Sequence, residues 1–258
     1  MRRILSYLRR AADDYAMIGD GDRICVGLSG GKDSLTLLCA LARLRLFYPH
    51  KFELCAVTLD MGLGADWSGV AQLCADFGIE YTVVPTDIAE IVFDIRKEKN
   101  PCSLCANLRR GILHDIAIKM GFRKIALGHH HDDVVETFMM NLMHEGRLAA
   151  FAPVTYLDRR DVTLIRPMVY APEKEISRFA AAAALPVVHN PCPANGHTER
   201  QRVKDMLADW ERSNRGVKHR IFNALQKGNV SGFTMETKER DGASAGDTQR
   251  VHAPFDPM

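Results

Sequence analysis

Apolar positions along this chain follow two alternating patterns. Residues 23–28 are a short, nearly continuous apolar run, and from Leu35 the spacing turns helical over 34–47 (Leu35, Leu38, Leu41, Ala42). Runs of the first kind recur at 52–59, 80–84 and 123–127, and helical stretches at 67–77, 104–120 and 132–144. Ahead of them, Ile4, Leu8, Ala11, Ala12 and Tyr15 predict an amphipathic helix over 3–17. The strands lack polar alternation, which marks a parallel sheet covered by helices on both faces. Repeated βα units of this length predict an α/β fold with a doubly wound parallel sheet. Ligands in such sheets bind past the carboxyl ends of the strands. Ser29–Ser34, Asp60 and His129–Asp133 all fall there.

Further along, the pattern predicts a strand at 162–165, a helix at 172–183 and a short strand at 186–188 that leads into a loop, His189–His197. Helix returns over 198–227, broken at Asn214-Arg215-Gly216. From Gly228 large apolar residues are scarce, which predicts a disordered tail. The expected organisation is a main unit over 1–197, a small basic helical extension over 198–227, and a tail over 228–258.

Charge and cysteine narrow the function. The formal net charge is only +2, so the chain as a whole carries no polyanion signal. Residues 200–227 differ, with eight lysines and arginines against three acids. Either a nucleic-acid contact through residues such as Arg200, Arg202 and Lys204 or a solvated helical face would produce that excess. No run of about 18 apolar residues is present, so no membrane partner is expected. Met1–Leu8 lacks a following apolar stretch, so a cytoplasmic location is expected, with the seven cysteines as thiols. Cys25, Cys39, Cys55 and Cys74 sit in element patterns and read as small core residues. Cys102, Cys105 and Cys192 lie beside prolines at loop-like positions.

The turn after the first strand, Ser29-Gly-Gly-Lys-Asp-Ser34, carries the densest chemistry. A strand entering a Gly-rich turn and then a helix aims several N–H groups at one point on the positive end of the helix dipole. Gly30 and Gly31 admit a ligand oxygen to the backbone, Ser29 and Ser34 add hydroxyls, and Lys32 adds a charge. Pyrophosphate suits this turn; a Gly-rich turn that binds nothing is the plainer alternative. It is not a G-x-x-x-x-G-K-[ST] loop, because Asp33 follows Lys32.

Gly128-His-His-His-Asp-Asp133 ends a strand and opens a helix. Asp133 and Glu136 have capping-box spacing, which leaves Asp132 free on the ligand side. A Mg²⁺ held by Asp132 and Asp133 beside phosphates fits better than zinc on adjacent histidines. Asp60 could meet a ribose or simply start a turn. Pro101-Cys-Ser-Leu-Cys105 begins a helix, where a thiol becomes a better nucleophile and metal ligand. With Cys192 as a third thiol, a Cys₃His zinc site and a 4Fe–4S cluster with one open iron both remain open.

Together these strings resemble the tRNA 2-thiocytidine synthetases, within the ATP-pyrophosphatase superfamily. The resemblance includes the 29–34 loop, Thr58-Leu-Asp60, Cys102-Ser-Leu-Cys105 with Leu108-Arg-Arg-Gly111, and Leu127-Gly-His-His-His-Asp-Asp-Val-Val-Glu-Thr137. It continues through Ile165-Arg-Pro-Met168, Cys192 and Arg200-Gln-Arg-Val-Lys204, covering roughly residues 1–227. It implies an adenine nucleotide alpha hydrolase-like (PP-loop, HUP-type) fold with ATP, Mg²⁺ and a 4Fe–4S cluster as cofactors. The cluster would sit on Cys102, Cys105 and Cys192. ATP would meet Ser29, Gly30, Gly31, Lys32, Asp33, Ser34, Asp60, Gly128 and His129. Catalytic roles fall to Cys102, Cys105, Asp33 and Asp132, and RNA contacts to Arg109, Arg110, Arg200, Arg202 and Lys204. The implied activity is adenylation of the C2 oxygen of an anticodon-loop cytidine and its replacement by sulfur. Implied partners are tRNA and a sulfur donor, either a cysteine desulfurase or sulfide; a homodimer is left open. Alternatives are another adenylating relative, of lysidine or other thiolating type, and a non-catalytic ATP-binding zinc module. Two departures stand out: His189-Asn-Pro-Cys192 keeps only the later cysteine of a second C-x-x-C, and Ala152-Pro-Val154 replaces Pro-Pro-Lys.

Overall fold

Strand β1 (Asp22–Leu28) divides its side chains between two faces. Ile24, Val26 and Leu28 join one apolar cluster, and Cys25 joins another on the opposite side. Strand β2 (Phe52–Asp60) repeats the division, with Leu54 and Ala56 against Cys55 and Val57. A sheet apolar on both sides must be covered on both. The computed structural model, which describes residues 1–96, 101–188 and 199–233, covers it with helices.

After α1 (Arg2–Asp14), α2 (Lys32–Leu44) links β1 to β2, and α3 (Ser68–Asp76) links β2 to β3 (Glu80–Pro85). The chain returns through α4 (Pro101–Lys119) to β4 (Lys124–Ala126), followed by α5 (His131–Glu145). A hairpin of β5 (Val154–Leu157) and β6 (Val162–Ile165) precedes α6 (Glu173–Ala182), α7 (Glu199–Ser213) and α8 (Val217–Lys227). The sheet runs β3-β2-β1-β4-β6-β5, parallel except for β5. The order in which strands are added reverses between β1 and β4, so the turns after these two parallel strands flank the switch-point crevice. Gly128 lets them touch: a Cβ there would lie 3.0 Å from the Ser34 nitrogen.

The doubly wound sheet matches the sequence pattern; its margins differ. Strand β5 carries half-exposed residues and takes its order from pairing with β6, so it leaves no apolar signal. Residues 186–188, expected as a strand, stay outside the sheet, and the Val188 N–H donates to the Gly30 carbonyl at 3.0 Å. A π-helical turn over Glu90–Arg96 was not foreseen, and Ile88 and Val92 bury against Met61 beside it. The expected extension shares the main core, since Val203, Leu207, Phe222 and Leu225 cluster with Ile4 and Leu8 of α1. Order also runs past Gly228: a 3-10 turn at Val230–Gly232 sets Phe233, 0% exposed, edge-on to Tyr15 and Phe222. The loop His189–His197, with Cys192, and residues 234–258 lie outside the described residues. Among the described residues, no helix is long and apolar enough to cross a membrane.

Removing the Phe233 ring should leave a cavity under α1 and α8. Phe233→Ala is expected to lower the unfolding free energy by about 3–5 kcal/mol in urea titrations, the usual range for a buried phenylalanine. A loss below about 1 kcal/mol would show that the 230–233 turn does not belong to the core.

Candidate nucleotide and thiol site

The turn after β1 is built to hold its shape. Gly30 has φ +78°, and a Cβ on it would lie 2.8 Å from the Trp67 ring and 2.9 Å from Val188 Cβ, so only glycine fits. The two serine hydroxyls stand 3.2 Å apart; Ser34 Oγ accepts the Ser29 N–H at 3.2 Å and donates to the Gly31 carbonyl at 3.0 Å. Lys32 Nζ donates to both Asp33 oxygens at 3.0 and 3.1 Å and pairs with Glu173 Oε1 at 3.1 Å. Burial alone would lower the Lys32 pKa, but Asp33 and Glu173 outweigh it and hold the ammonium above the ordinary lysine value. The loop therefore carries its glycine cradle and a charged lysine in one place. Trp67 and Val188, which form its walls, gave no signal in the sequence as site residues.

Beside it, α5 is capped by a reciprocal pair three residues earlier than the expected one. His130, not Asp133, is the N-cap: its Nδ1 accepts the Asp133 N–H at 3.4 Å, and Asp133 Oδ2 accepts the His130 N–H at 2.9 Å. With Nδ1 accepting, Nε2 carries the proton and faces Asp33 Oδ1 at 3.7 Å. His130 thus connects the two turns, whereas His129 packs against the Phe151 ring at 4.7 Å.

Asp132 is not free, contrary to the sequence expectation. One oxygen accepts from Lys218 Nζ at 2.8 Å, and the other from the Glu173 N–H at 2.8 Å, capping α6. Burial opposes its ionisation, but His131, the Glu173 N–H and Lys218 prevail and hold the carboxyl well below the usual range. The carboxylate that faces the loop is Asp33.

Two basic residues of α7 also turn inward. Arg200 donates to Thr137 Oγ1 at 3.2 Å and lies 3.6 Å from both Asp133 Oδ1 and Glu136 Oε2. Lys204 donates to Glu173 Oε1 at 2.8 Å, the oxygen that also pairs with Lys32. Only Arg202 of the three points to solvent, paired with Glu199 on its own helix. Arg109 and Arg110 are half-buried on α4.

Helix α4 opens with Pro101 at its first position, where a missing N–H costs nothing. Cys102 and Cys105 follow in the first turn, three apart and so on one face. Cys102 is exposed, and Cys105 is half-buried against the cluster of Met61, Ile88 and Val92. That cluster begins at Met61, just past the end of β2, so the thiols stand on the carboxyl rim of the sheet with the glycine loop. Cys25, Cys39, Cys55 and Cys74 are core residues, as expected. Asp60 Oδ1 accepts the Gly62 N–H at 3.0 Å, the turn-forming role.

A glycine cradle at the switch point of a doubly wound sheet defines a nucleotide-binding PP-loop protein, and the PP-loop domain family matches residues 6–210. The tRNA-cytidine(32) 2-sulfurtransferase of Geobacter sulfurreducens is 42% identical over 89% of this chain and 90% of its own length. That of Methylococcus capsulatus is 41% identical over 87% of this chain and 79% of its own. The chain belongs to the tRNA-cytidine(32) 2-sulfurtransferase family. A U34-tRNA thiolase from Methanococcus maripaludis, solved with its 4Fe–4S cluster, superposes with a TM-score of 0.69 at 27% identity, over 86% of this chain and 77% of that one.

Glu136 gives this region a pH signature. Its side chain is 2% exposed; burial and the neighbouring Asp133 raise its pKa to about 7, against the lowering effects of Arg200 and Lys204. The folded protein then keeps a proton that the unfolded chain releases near pH 4.5, so stability falls as pH rises from about 4.5 to about 7. Glu136→Gln should remove up to about 3 kcal/mol of that slope. Urea midpoints at pH 5 and pH 8 check this; parallel profiles for the two proteins would refute it.

Proposed function

We infer that this protein is an ATP-dependent tRNA sulfurtransferase that replaces the C2 oxygen of an anticodon-loop cytidine with sulfur. One observation carries the reading: the glycine cradle and the Cys102–Cys105 pair share the carboxyl rim of one sheet. The similarity to the sulfurtransferases supports it.

The N–H groups of Gly30 and Gly31, with the Ser29 and Ser34 hydroxyls, receive the pyrophosphate of ATP at the N-terminus of α2. Lys32 transfers its charge from Glu173 to the phosphates. Asp33, in the same loop, would hold Mg²⁺, with Asp133 linked to it through His130. Asp60 and the Gly128–His129 edge border the nucleoside. The cytidine C2 oxygen attacks the α-phosphorus, the bond to the bridging oxygen breaks, and pyrophosphate departs. The loop amides stabilise the charge that develops on it, and a Mg²⁺ held there would neutralise more of it. An amide-like oxygen leaves poorly, but once adenylated it leaves as AMP when sulfide-level sulfur attacks C2. Cys102 and Cys105, exposed and half-buried on one helical face, fit a 4Fe–4S cluster completed by Cys192. When bound, such a cluster would supply a site that carries sulfur to the base. Sulfide supplies sulfur at the level this attack needs directly; a cysteine desulfurase delivers persulfide sulfur, which a thiol reductant would first take to sulfide with two electrons.

Anaerobically prepared protein should contain about four irons per chain, as one such cluster requires. Cys102→Ala, Cys105→Ala or Cys192→Ala should abolish iron, while Cys39→Ala, in the core, should retain it. Stoichiometric zinc in colourless protein would overturn the cluster. Turnover should release AMP and pyrophosphate, and nucleoside mass spectrometry should find 2-thiocytidine only when the protein is present.

Gly30→Ala should weaken ATP binding at least tenfold, since φ +78° and the Trp67 contact leave no room for a methyl group. Calorimetry with ATP checks this. Unchanged affinity would remove the cradle from the nucleotide site.

A further inference from the structure

Behind the PP-loop, on the far side of the α6 N-terminus, lies a cleft of about 950 Å³ between α1, α5 and α8. Its size suits a small ligand. Glu173 is the partition: its side chain pairs with Lys32 on the loop side, while its N–H is bound by Asp132, which lines the cleft. The cleft therefore lies one residue from the phosphate site without being part of it.

Its chemistry favours an anionic ligand with a planar ring. Three carboxylates line it, and protein donors already satisfy each. Asp14 accepts from the Tyr170 hydroxyl at 2.9 Å, Asp132 from Lys218, and Glu211 from the Gly216 N–H at 2.6 Å and the Lys218 N–H at 3.2 Å. Of the three lining cations, Lys218 is held by Asp132 and the other two are less engaged. Arg10 lies over the Tyr170 ring at 4.1 Å, and Lys174 forms no hydrogen bond or ion pair among the described residues. The His131 and exposed His219 rings stand 6.2 Å apart with planes 22° from parallel. Phe222 also stacks on His131, at 4.6 Å, and holds that ring in place. A single planar base needs about 6.8 Å between two such rings, twice the 3.4 Å rise per nucleotide of a strand. A small movement of His219 would supply the difference.

The structure assigns this cleft to one unpaired nucleotide of the RNA substrate, next in the strand to the base that reaches the PP-loop. Its base stacks on the His131–His219 surface and its phosphate meets Arg10 and Lys174. The assignment rests on RNA being the substrate and adds where the flanking nucleotide is held. Loop nucleotides are commonly recognised in this way, by stacking on aromatic or histidine rings with cations on the phosphate.

The test uses iron-loaded protein and fluorescently labelled tRNA across a salt series. Arg10→Ala/Lys174→Ala should weaken tRNA binding about tenfold and flatten the log–log salt slope by up to about 1.4, or about 0.7 per lost phosphate contact on a single strand. His219→Ala should weaken binding several-fold with the slope unchanged, since stacking releases no counterions. ATP affinity and iron content should stay at wild-type values in both. Lys51→Ala/Lys119→Ala, the same charge change at the amino ends of the strands, just before β2 and at the end of α4, should leave tRNA affinity within twofold. If the first double variant behaves like this control while wild type binds and thiolates tRNA, the subsite is wrong and the parent reading stands. If wild type makes no 2-thiocytidine and binds no tRNA, both fall together. If the first double variant loses only binding of a fluorescent AMP analogue, the cleft belongs to a free nucleotide and the assignment is overturned.

Discussion

Glu173 is the residue on which the site's arrangement depends. One of its oxygens is shared by Lys32, from the loop after β1, and Lys204, from α7. Burial would raise its pKa, but the two ammonium groups prevail and keep the carboxyl below its usual range. It stands at the first position of α6, where an acid is also favoured by the helix dipole. Through its N–H it fixes Asp132, and through Asp132 it fixes Lys218 on α8. Three other stretches of chain thus meet at one peptide unit and its side chain, and α8 joins them through Asp132. Two ammonium groups on one oxygen repel each other, so phosphate can draw Lys32 away while Lys204 keeps Glu173 neutralised.

Much of this was legible in the sequence, for reasons that differ by element. Strands β1, β2 and β4 are buried on both faces and declare themselves as unbroken apolar runs, so the sheet and its crevice could be placed. The loop 29–34 could be read because glycine spacing and helix start are local properties, and the cysteines because a proline marks where α4 begins. What escaped was settled by distant partners. Asp132 reads as a spare acid beside a cap; only the fold shows that Lys218, far along the chain, takes it. Arg200 and Lys204 read as a basic surface, yet Asp133, Glu136 and Glu173 draw them inward. The cap itself lies three residues earlier, at His130, because histidine Nδ1 can accept an N–H as an Asp oxygen does, which a search for capping acids overlooks.

The joining of α1 to α8 has a consequence for how the chain comes to fold. Gln226 donates to the Tyr15 hydroxyl across 211 residues of sequence, and Phe233 lies against the same tyrosine ring. The apolar stripe of α1, made early in synthesis, therefore has no complete cover until the last described helix has emerged. Closing so long a loop is slow, and an uncovered stripe is open to association in the meantime. The basic α7 and α8, which arrive last, complete both the core and the wall of the phosphate site. A partly made chain would accordingly hold a glycine loop without the lysine that shares its counter-charge, and nucleotide binding would report that folding is finished.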